Sequence, residues 1–335
     1  MYANPGQPLE NIPPHWHYIS FGLSDLHGDG RVHDTTCPDG VSGFGFELSF
    51  RLKREPEETS PPTWPAALMQ SLAKYVFHSG NILRPGDHVS WHCALDNSES
   101  RIQHMLMATD TQLKTTQTPF GAVDFIQIVG IASEELKAAQ QWNGAQVLDL
   151  ISRLHQARGP WYVTDMKRNS IFDVVPTAYK EVEDGFARDG SNLSGVSARY
   201  LITYFLGMRG PYECAELLYV RNLEGVHLIF NLEAGSLLPL AIRGRVKHGR
   251  HFTFKSVLGD AAITLVAHTV TGTLVDTERP FVAQGSWLQV LIPDDLAQDM
   301  AVAFQVLATP EALPLPKTFS WPERRLFVTI VADKV

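Results

Sequence analysis

The sequence feature that most constrains the fold is the alternation across residues 42–53, in SGFGFELSFRLK. Phe44, Phe46, Leu48, Phe50 and Leu52 fall on one face, and Glu47, Ser49, Arg51 and Lys53 on the other. A period of two is the signature of a strand with one packed face and one wetter face, so the chain must build at least one sheet that is covered on one side. A charged, Pro-rich stretch at 55–65 leads from that strand into WPAALMQSLAKYVFHS. There Leu68, Leu72, Tyr75 and Val76 recur at helical spacing, which predicts a helix over 65–79, stopped by Gly80. Pro85-Gly86 turns the chain, and 87–92 alternates as a strand with Asp87 at its start. Asp87 therefore stands on an apolar ledge beside Tyr75 and Leu83, where helix and strand meet. An acid so placed is a candidate for holding something.

The rest of the chain continues the mixture. Residues 15–21 (HWHYISF) alternate like a strand, and 122–131 (AVDFIQIVGI) read as a central one. Ser133 is placed to cap a helix whose first turn carries Glu134 and Glu135. Residues 161–165 and 170–174 predict a hairpin, 177–186 a short helix, and 189–195 a polar turn from which Val196 to Ala198 leave extended. Beyond an apolar stretch at 200–214, strands are expected at 226–231, 237–246, 251–257, 262–270, 287–292 and 325–332, with one helix at 294–307. The expected class is α+β: two mixed α/β-sheet domains, 1–198 and 217–335, joined by a connector at 199–216, with a peptide-binding cleft between them.

Composition narrows function by exclusion. With 335 residues there is enough chain for two cores, and a formal charge of −8 argues against non-specific nucleic-acid binding. The short basic pieces at 51–54 and 243–250 read as solvated faces. Cys37, Cys93 and Cys214 form no paired spacing, which suits a reducing compartment. No basic segment followed by an apolar run opens the chain, and no apolar run approaches the ~20 residues of a membrane span.

Motifs for catalysis are missing as well. There is no GxSxG elbow, no phosphate loop and no dinucleotide fingerprint, and Gly43-Phe44-Gly45 lies inside the strand. His15 and His17 share a strand face, and His88 and His92 share another, so a metal-assisted hydrolase is the alternative to weigh. No HExxH or CxxC spacing supports it, and histidines flanked by aromatics in strands are usually structural. The residues thus point to binding. A sheet edge beside a cleft accepts an extended peptide as an added strand, through main-chain hydrogen bonds.

Longer motifs carry a more specific likeness. IPPHWHYISFGLSDLHGDGRVHD, SGFGFELSFRLKRE, PPTWPAALMQSLAKYVF, GDHVSWH with LDNSESRIQHML, QTPFG, QQWNG, GPW, DGSNLSGVSA, AIRGRVKHGRHFTFKS and SWPERRL together resemble the Suppressor of fused family, negative regulators of Hedgehog signalling. The resemblance covers about 11–198 and about 216 to the end. It implies a non-enzymatic protein of cytoplasm and nucleus, without cofactor or metal. Such a protein binds Gli/Ci zinc-finger transcription factors by clamping a Ser-Tyr-Gly-His-Leu segment as a strand between its two domains. Fused kinase and other pathway proteins are further implied partners. Carried over by motif, the peptide contacts fall on Tyr75, Leu83, Asp87, Val196, Ala198, Glu233, Leu237, Arg245 and His248. Asp87 and Glu233 would hold the partner's His, Arg245 would answer a carboxylate or carbonyl, and the apolar positions would cover Tyr and Leu. Val196, Ala198 and Leu237 also suit a core, and Asp87 a turn cap. This chain departs from the family at three points: an N-terminal helical segment is missing, so its first core would be incomplete. Residues 200–214 stand where the family has a long acidic insertion, and Leu83 replaces a common Phe.

Overall fold

A computed structural model describes residues 1–33, 40–153, 159–198, 201–205, 220–308 and 313–333. Cys37, Cys214 and most of the expected connector lie outside them. The chain divides into two compact units, Met1–Glu183 and Asp184–Val335.

Among the described residues, the first unit is built on one sheet. Its strands are β1 (Tyr2–Asn4), β2 (His15–Ile19), β3 (Val41–Lys53), β4 (His88–Ser90), β5 (Ile102–Thr109), β6 (Thr116–Thr118) and β7 (Gly121–Ala132). They lie in the order β1-β2-β3-β7-β5-β4, with β6 also paired to β7, so β4 forms an edge. Helix α1 (Trp64–Ser79) covers the apolar face of β3 as its periodicity predicts. Leu68, Leu72 and Val76 join Phe46, Leu48 and Phe50 in one core, and Trp64 sits edge-on to Phe50. Gly80 ends α1 in the left-handed region at φ 71°, its N–H donating to the Val76 carbonyl. Those core residues belong to one cluster of buried side chains.

The opposite face of β3 is not wet. Glu47, Ser49 and Arg51 are all buried. Glu47 accepts the N–H groups of Gly22 and Ser24 and the hydroxyls of Ser20 and Ser24, and so folds the 20–24 loop onto the strand. Arg51, at 0% exposure, is held by Asp110, Gln127 and Gln112 and lies over the Trp161 ring. A period of two separates polar from apolar, but it does not say whether the polar side meets water or another polar segment. The segment expected to form a hairpin supplies part of that cover instead. Residues Gly159–Trp161 make a 3-10 turn, Thr164 bridges to Leu52, and Ile171–Val174 is a short helix, α4. Ser170 caps α4, which explains why an apolar run too short for a helical period is not a strand.

Helices α2 (Ser133–Gln141) and α3 (Gly144–Arg153) pack on β5 and β7. Ser133 is the first residue of α2 rather than its cap, and Glu135 reaches back to the Ala132 N–H. Glu135 is buried and also takes the Arg168 guanidinium and the Ile171 N–H. Helix α5 (Ala178–Asp189) then runs into the second unit.

Among its described residues, that unit carries two sheets. In the first, β8 (Gly195–Ala198), β10 (Val220–Asn222), β12 (Phe252–Ser256), β13 (Ala262–Ala267), β14 (Phe281–Gln284) and β15 (Trp287–Ile292) are ordered β10-β14-β15-β13-β12-β8. In the second, β9 (Leu201–Phe205), β11 (Val226–Asn231), β16 (Lys317–Trp321) and β17 (Leu326–Val331) are ordered β16-β17-β11-β9. The inner faces of both sheets, with Leu296, Met300 and Phe304 of α8 (Asp294–Ala303) and the turn after it, bury one core.

Three expectations are corrected here. The division falls at Glu183/Asp184 rather than after Ala198, because β8 pairs with β12 and so belongs to the second unit. Part of the expected connector is strand β9, paired with β11. Residues 237–246, expected as a strand, are helical: α6 (Leu232–Gly235) and α7 (Leu238–Leu240) precede a π-turn at Ala241–Arg245 and a 3-10 turn at Val246–His248. Leu238, Ala241, Ile242 and Val246 are buried there at spacings of three and four, which is a helical period.

Candidate functional site

In the first unit the candidate residues gather on one short stretch. Tyr75, 46% exposed near the end of α1, accepts a hydrogen bond at its hydroxyl from the Asn81 side chain at 2.7 Å. Leu83, 6% exposed, belongs to the core under that stretch. Asp87 is exposed, and its Oδ2 accepts the Arg84 N–H at 2.7 Å. It therefore caps the turn that delivers the chain into β4. Its own carbonyl accepts the Met107 N–H, which starts the ladder to β5.

That ladder decides which main-chain groups are free. With the Asp87 carbonyl bonded to Met107 and Val89 opposite Met105, the Asp87 C=O and both main-chain groups of Val89 face β5, while the Asp87 N–H closes the turn on the Arg84 carbonyl. Those of His88 and Ser90 face away, at the edge of the sheet. The His88 ring is part-buried beside Gln140, and burial lowers its pKa.

In the second unit the same logic applies to β8, the edge strand paired in parallel with β12. The Thr253 N–H donates to the Ser194 carbonyl and the Val257 N–H to the Ala198 carbonyl. Alternation turns the groups of Val196 and Ala198 toward β12, and leaves those of Gly195 and Ser197 outward. Val196 and Ala198 put their side chains into the core, Ala198 fully buried. Helix α6 packs against β8 and carries Glu233, exposed in its first turn; Leu237 follows, half-buried against the core.

Arg245 and His248 close on the loop before β8. Arg245 is 8% exposed, so the segment 243–250 is not simply a solvated face. Its Nη1 donates to the Ser191 carbonyl at 3.0 Å and its Nε to the His251 carbonyl at 3.1 Å. Burial, and then Arg250 nearby, pull its pKa down. The His248 ring lies against Gly190, where φ is +70° and a Cβ would come within 2.8 Å of the ring. Burial and then Arg250 lower the His248 pKa too. The structure thus collects the nine predicted residues into two groups, three around 75–87 and six around the loop and strand at 189–198.

The histidines behind the hydrolase alternative are engaged in the fold. His15 is buried, with Nδ1 bonded to the Pro13 carbonyl, and His17 is buried between the Tyr2 hydroxyl and Asp110. Among the described residues, no group of three or more His, Cys, Asp or Glu is arranged to hold a metal ion. No described helix is long and apolar enough to cross a membrane.

Comparison with known proteins decides the family. A family model described as Suppressor of fused protein matches residues 2–169, and one described as Suppressor of Fused Gli/Ci N terminal binding domain matches 209–330. The Suppressor of fused homologs of Homo sapiens and Mus musculus are each 46% identical over an alignment 406 positions long, gaps included, spanning 100% of this chain and 84% of each relative. The chain belongs to the Suppressor of fused family. The crystal structure of Drosophila Suppressor of fused superposes with a TM-score of 0.85 at 35% identity, covering 99% of this chain and 88% of that one. The crystal structure of a Sufu–Fu complex matches with a TM-score of 0.52 at 45% identity, over 55% of this chain and 79% of that one. Membership in the Suppressor of fused family makes the protein a Hedgehog-pathway regulator that acts by binding protein partners.

Sequence reasoning passed over Gly195, Ser197, His88 and Ser90, whose free main-chain groups form the two edges. The signal was present in part: once Val196 and Ala198 are assigned to a strand, their neighbours must face the other way. What was missing was the pairing that fixes which side is occupied.

Proposed function

We propose that the protein binds a Gli/Ci-type transcription factor by taking up a Ser-Tyr-Gly-His-Leu segment as an added β-strand, clamped by both units, and so holds the factor inactive in cytoplasm and nucleus. The observation that supports this reading best is that β4, into which Asp87 leads, and β8, which carries Val196 and Ala198, are both edge strands. Each offers a guest two residues with outward main-chain groups, as strand addition requires. The description of the matching family model, a Gli/Ci N terminal binding domain, supports the choice of partner. The Sufu–Fu complex among the structural relatives supports Fused as a second partner.

In this reading Asp87 and Glu233 are the acids each half-site offers to the guest's His, keeping it charged as a nearby opposite charge does. Tyr75 and Leu237 cover the guest's apolar side chains. The binding of a labelled peptide containing the segment, followed by fluorescence anisotropy, tests the reading. Wild-type protein is expected to bind, and Asp87→Arg to lose about 2–5 kcal/mol of affinity by setting like charges together at a desolvated contact. A wild-type protein that ignores the peptide overturns the proposal, and undiminished binding by the variant removes Asp87 from the site.

A further inference from the structure

The loop that leads into β8 is held by two guanidinium groups that share one acceptor. Arg245 Nη1 and Arg250 Nη1 both donate to the Ser191 carbonyl, at 3.0 and 3.1 Å. Arg250 also donates from Nη2 to the Asp189 carbonyl at 2.8 Å, and from Nη1 to the Asn192 side chain at 3.4 Å. His248 stands beside them over Gly190. All these acceptors are neutral. Among the described residues neither Arg245 nor Arg250 has a carboxylate partner. The acid of that loop, Asp189, is gripped bidentately by Arg188 at 2.8 and 2.7 Å. Carbonyl dipoles satisfy the hydrogen-bonding geometry of two guanidiniums but leave their charges uncompensated, and two such charges sharing an oxygen repel. Arg245 is buried, whereas Arg250 and His248 reach the surface, so the field of the pair emerges beside the edge of β8.

We infer that this pair is an anion-recognition site, and that its occupant is an acidic side chain of the same guest segment, flanking the residues that add to β8. The inference rests on the guest-strand reading and adds a specificity element to it: the partner carries a carboxylate beside its strand-forming core. A carboxylate fits because it accepts two parallel N–H bonds from a guanidinium and cancels the repulsion between Arg245 and Arg250 at once. Arg250 is the recognition residue in contact with that carboxylate. Arg245, which keeps the 189–191 loop in place behind it, is a positioning residue.

The test compares peptides containing Ser-Tyr-Gly-His-Leu with neutral flanks against a set in which one Glu is moved through the flanking positions. Wild-type protein is expected to bind the best acidic peptide about ten-fold more tightly than the neutral one, the gain of one charge-assisted pair, and to lose that gain at high salt. Arg250→Gln is expected to bind both peptides alike. Arg250→Glu is expected to restore the preference for a peptide with Lys at the selected position, a rescue that a merely disturbed loop does not give. If the neutral peptide binds and no acidic position improves on it, the anion site is overturned and the strand-addition reading stands. If neither peptide binds, both fall.

Discussion

Arg51 and Asp110 meet with both ends of their planar groups, Nη2 to Oδ1 at 2.8 Å and Nη1 to Oδ2 at 3.0 Å, in complete burial on the polar face of the first sheet. Ser49 donates to the same carboxylate at 2.6 Å, and the N–H groups of Gln112 and Leu113 complete its shell. Removing one partner leaves a charge in the interior with nothing to answer it. Arg51→Ala is therefore expected to cost about 3–5 kcal/mol, read as a lowered urea midpoint of the first unit. The paired replacement Arg51→Met with Asp110→Leu is expected to cost less than the single one, because no lone charge remains. Equal midpoints for Arg51→Ala and wild type would show that the pair carries no structural weight.

Acid should loosen the same unit. His15 is held neutral, its pKa lowered from 6.5 to about 4, first by burial and then by Arg51 and His17; its bond to the Pro13 carbonyl and the charge of Asp110 oppose this. His104 is lowered to about 4 by burial, with His92 and His88 adding to the effect. Both folded values lie below the unfolded one, so the neutral forms stabilise the fold above pH 6.5, and that contribution is lost as pH falls from 6.5 toward 4. Asp110 adds to the slope only at the acid end of this window, where its unfolded carboxyl, at 3.8, begins to take up protons. Burial pushes its pKa up, but His17 and Arg51 outweigh that and hold it far below the ordinary carboxylate range. Urea midpoints measured across the window are expected to drop, and His15→Phe to flatten the slope. A level profile in wild type would contradict the neutral assignment of both rings.

How far the sequence reached can be judged from β3 and its neighbours. Phe46, Leu48 and Phe50 were legible as a core face because their period matches the pleat and α1 supplies a matching stripe. Arg51 was not, since burial of a cation depends on Asp110, a residue fifty-nine positions away that local pattern cannot place beside it. The segment at 237–246 failed for another reason: it was expected as a strand, while the helical spacing of Leu238, Ile242 and Val246 carried the true signal. The candidate site was legible only through long shared motifs. Its physics, free main-chain groups at two edges, depends on pairings such as β8 with β12 that join residues far apart in the chain.

One glycine ties the first half-site to a helix behind it. Gly144, at the start of α3, lies so close to the turn before Asp87 that a Cβ there would sit 2.1 Å from the Gly86 carbonyl oxygen. The Gly86 N–H is bonded to the Met107 carbonyl at 2.7 Å, so the turn cannot retreat without pulling on β5. Gly144→Ala is expected to cost about 1–3 kcal/mol of stability, as overpacking does, and to weaken binding of the guest peptide although it adds no atom to the site. Anisotropy on the folded variant checks the coupling; unaltered affinity would show that the turn absorbs the methyl group locally.

The sharpest separation between a side-chain site and a main-chain one comes from Ser197. Its side chain is exposed and its N–H points away from β12, with no hydrogen-bond partner among the described residues. Proline is tolerated on edge strands where the missing N–H faced solvent, and a guest strand is the one thing that needs it. Ser197→Pro is expected to leave the urea midpoint of the second unit near that of wild type and to weaken the peptide about ten-fold, the value of a lost main-chain bond at a desolvated edge. Ser197→Ala keeps the N–H and is expected to bind as wild type does. A proline variant that folds and binds normally would mean that the guest does not pair with β8, and recognition would then have to come from side chains such as Glu233 and Leu237 alone.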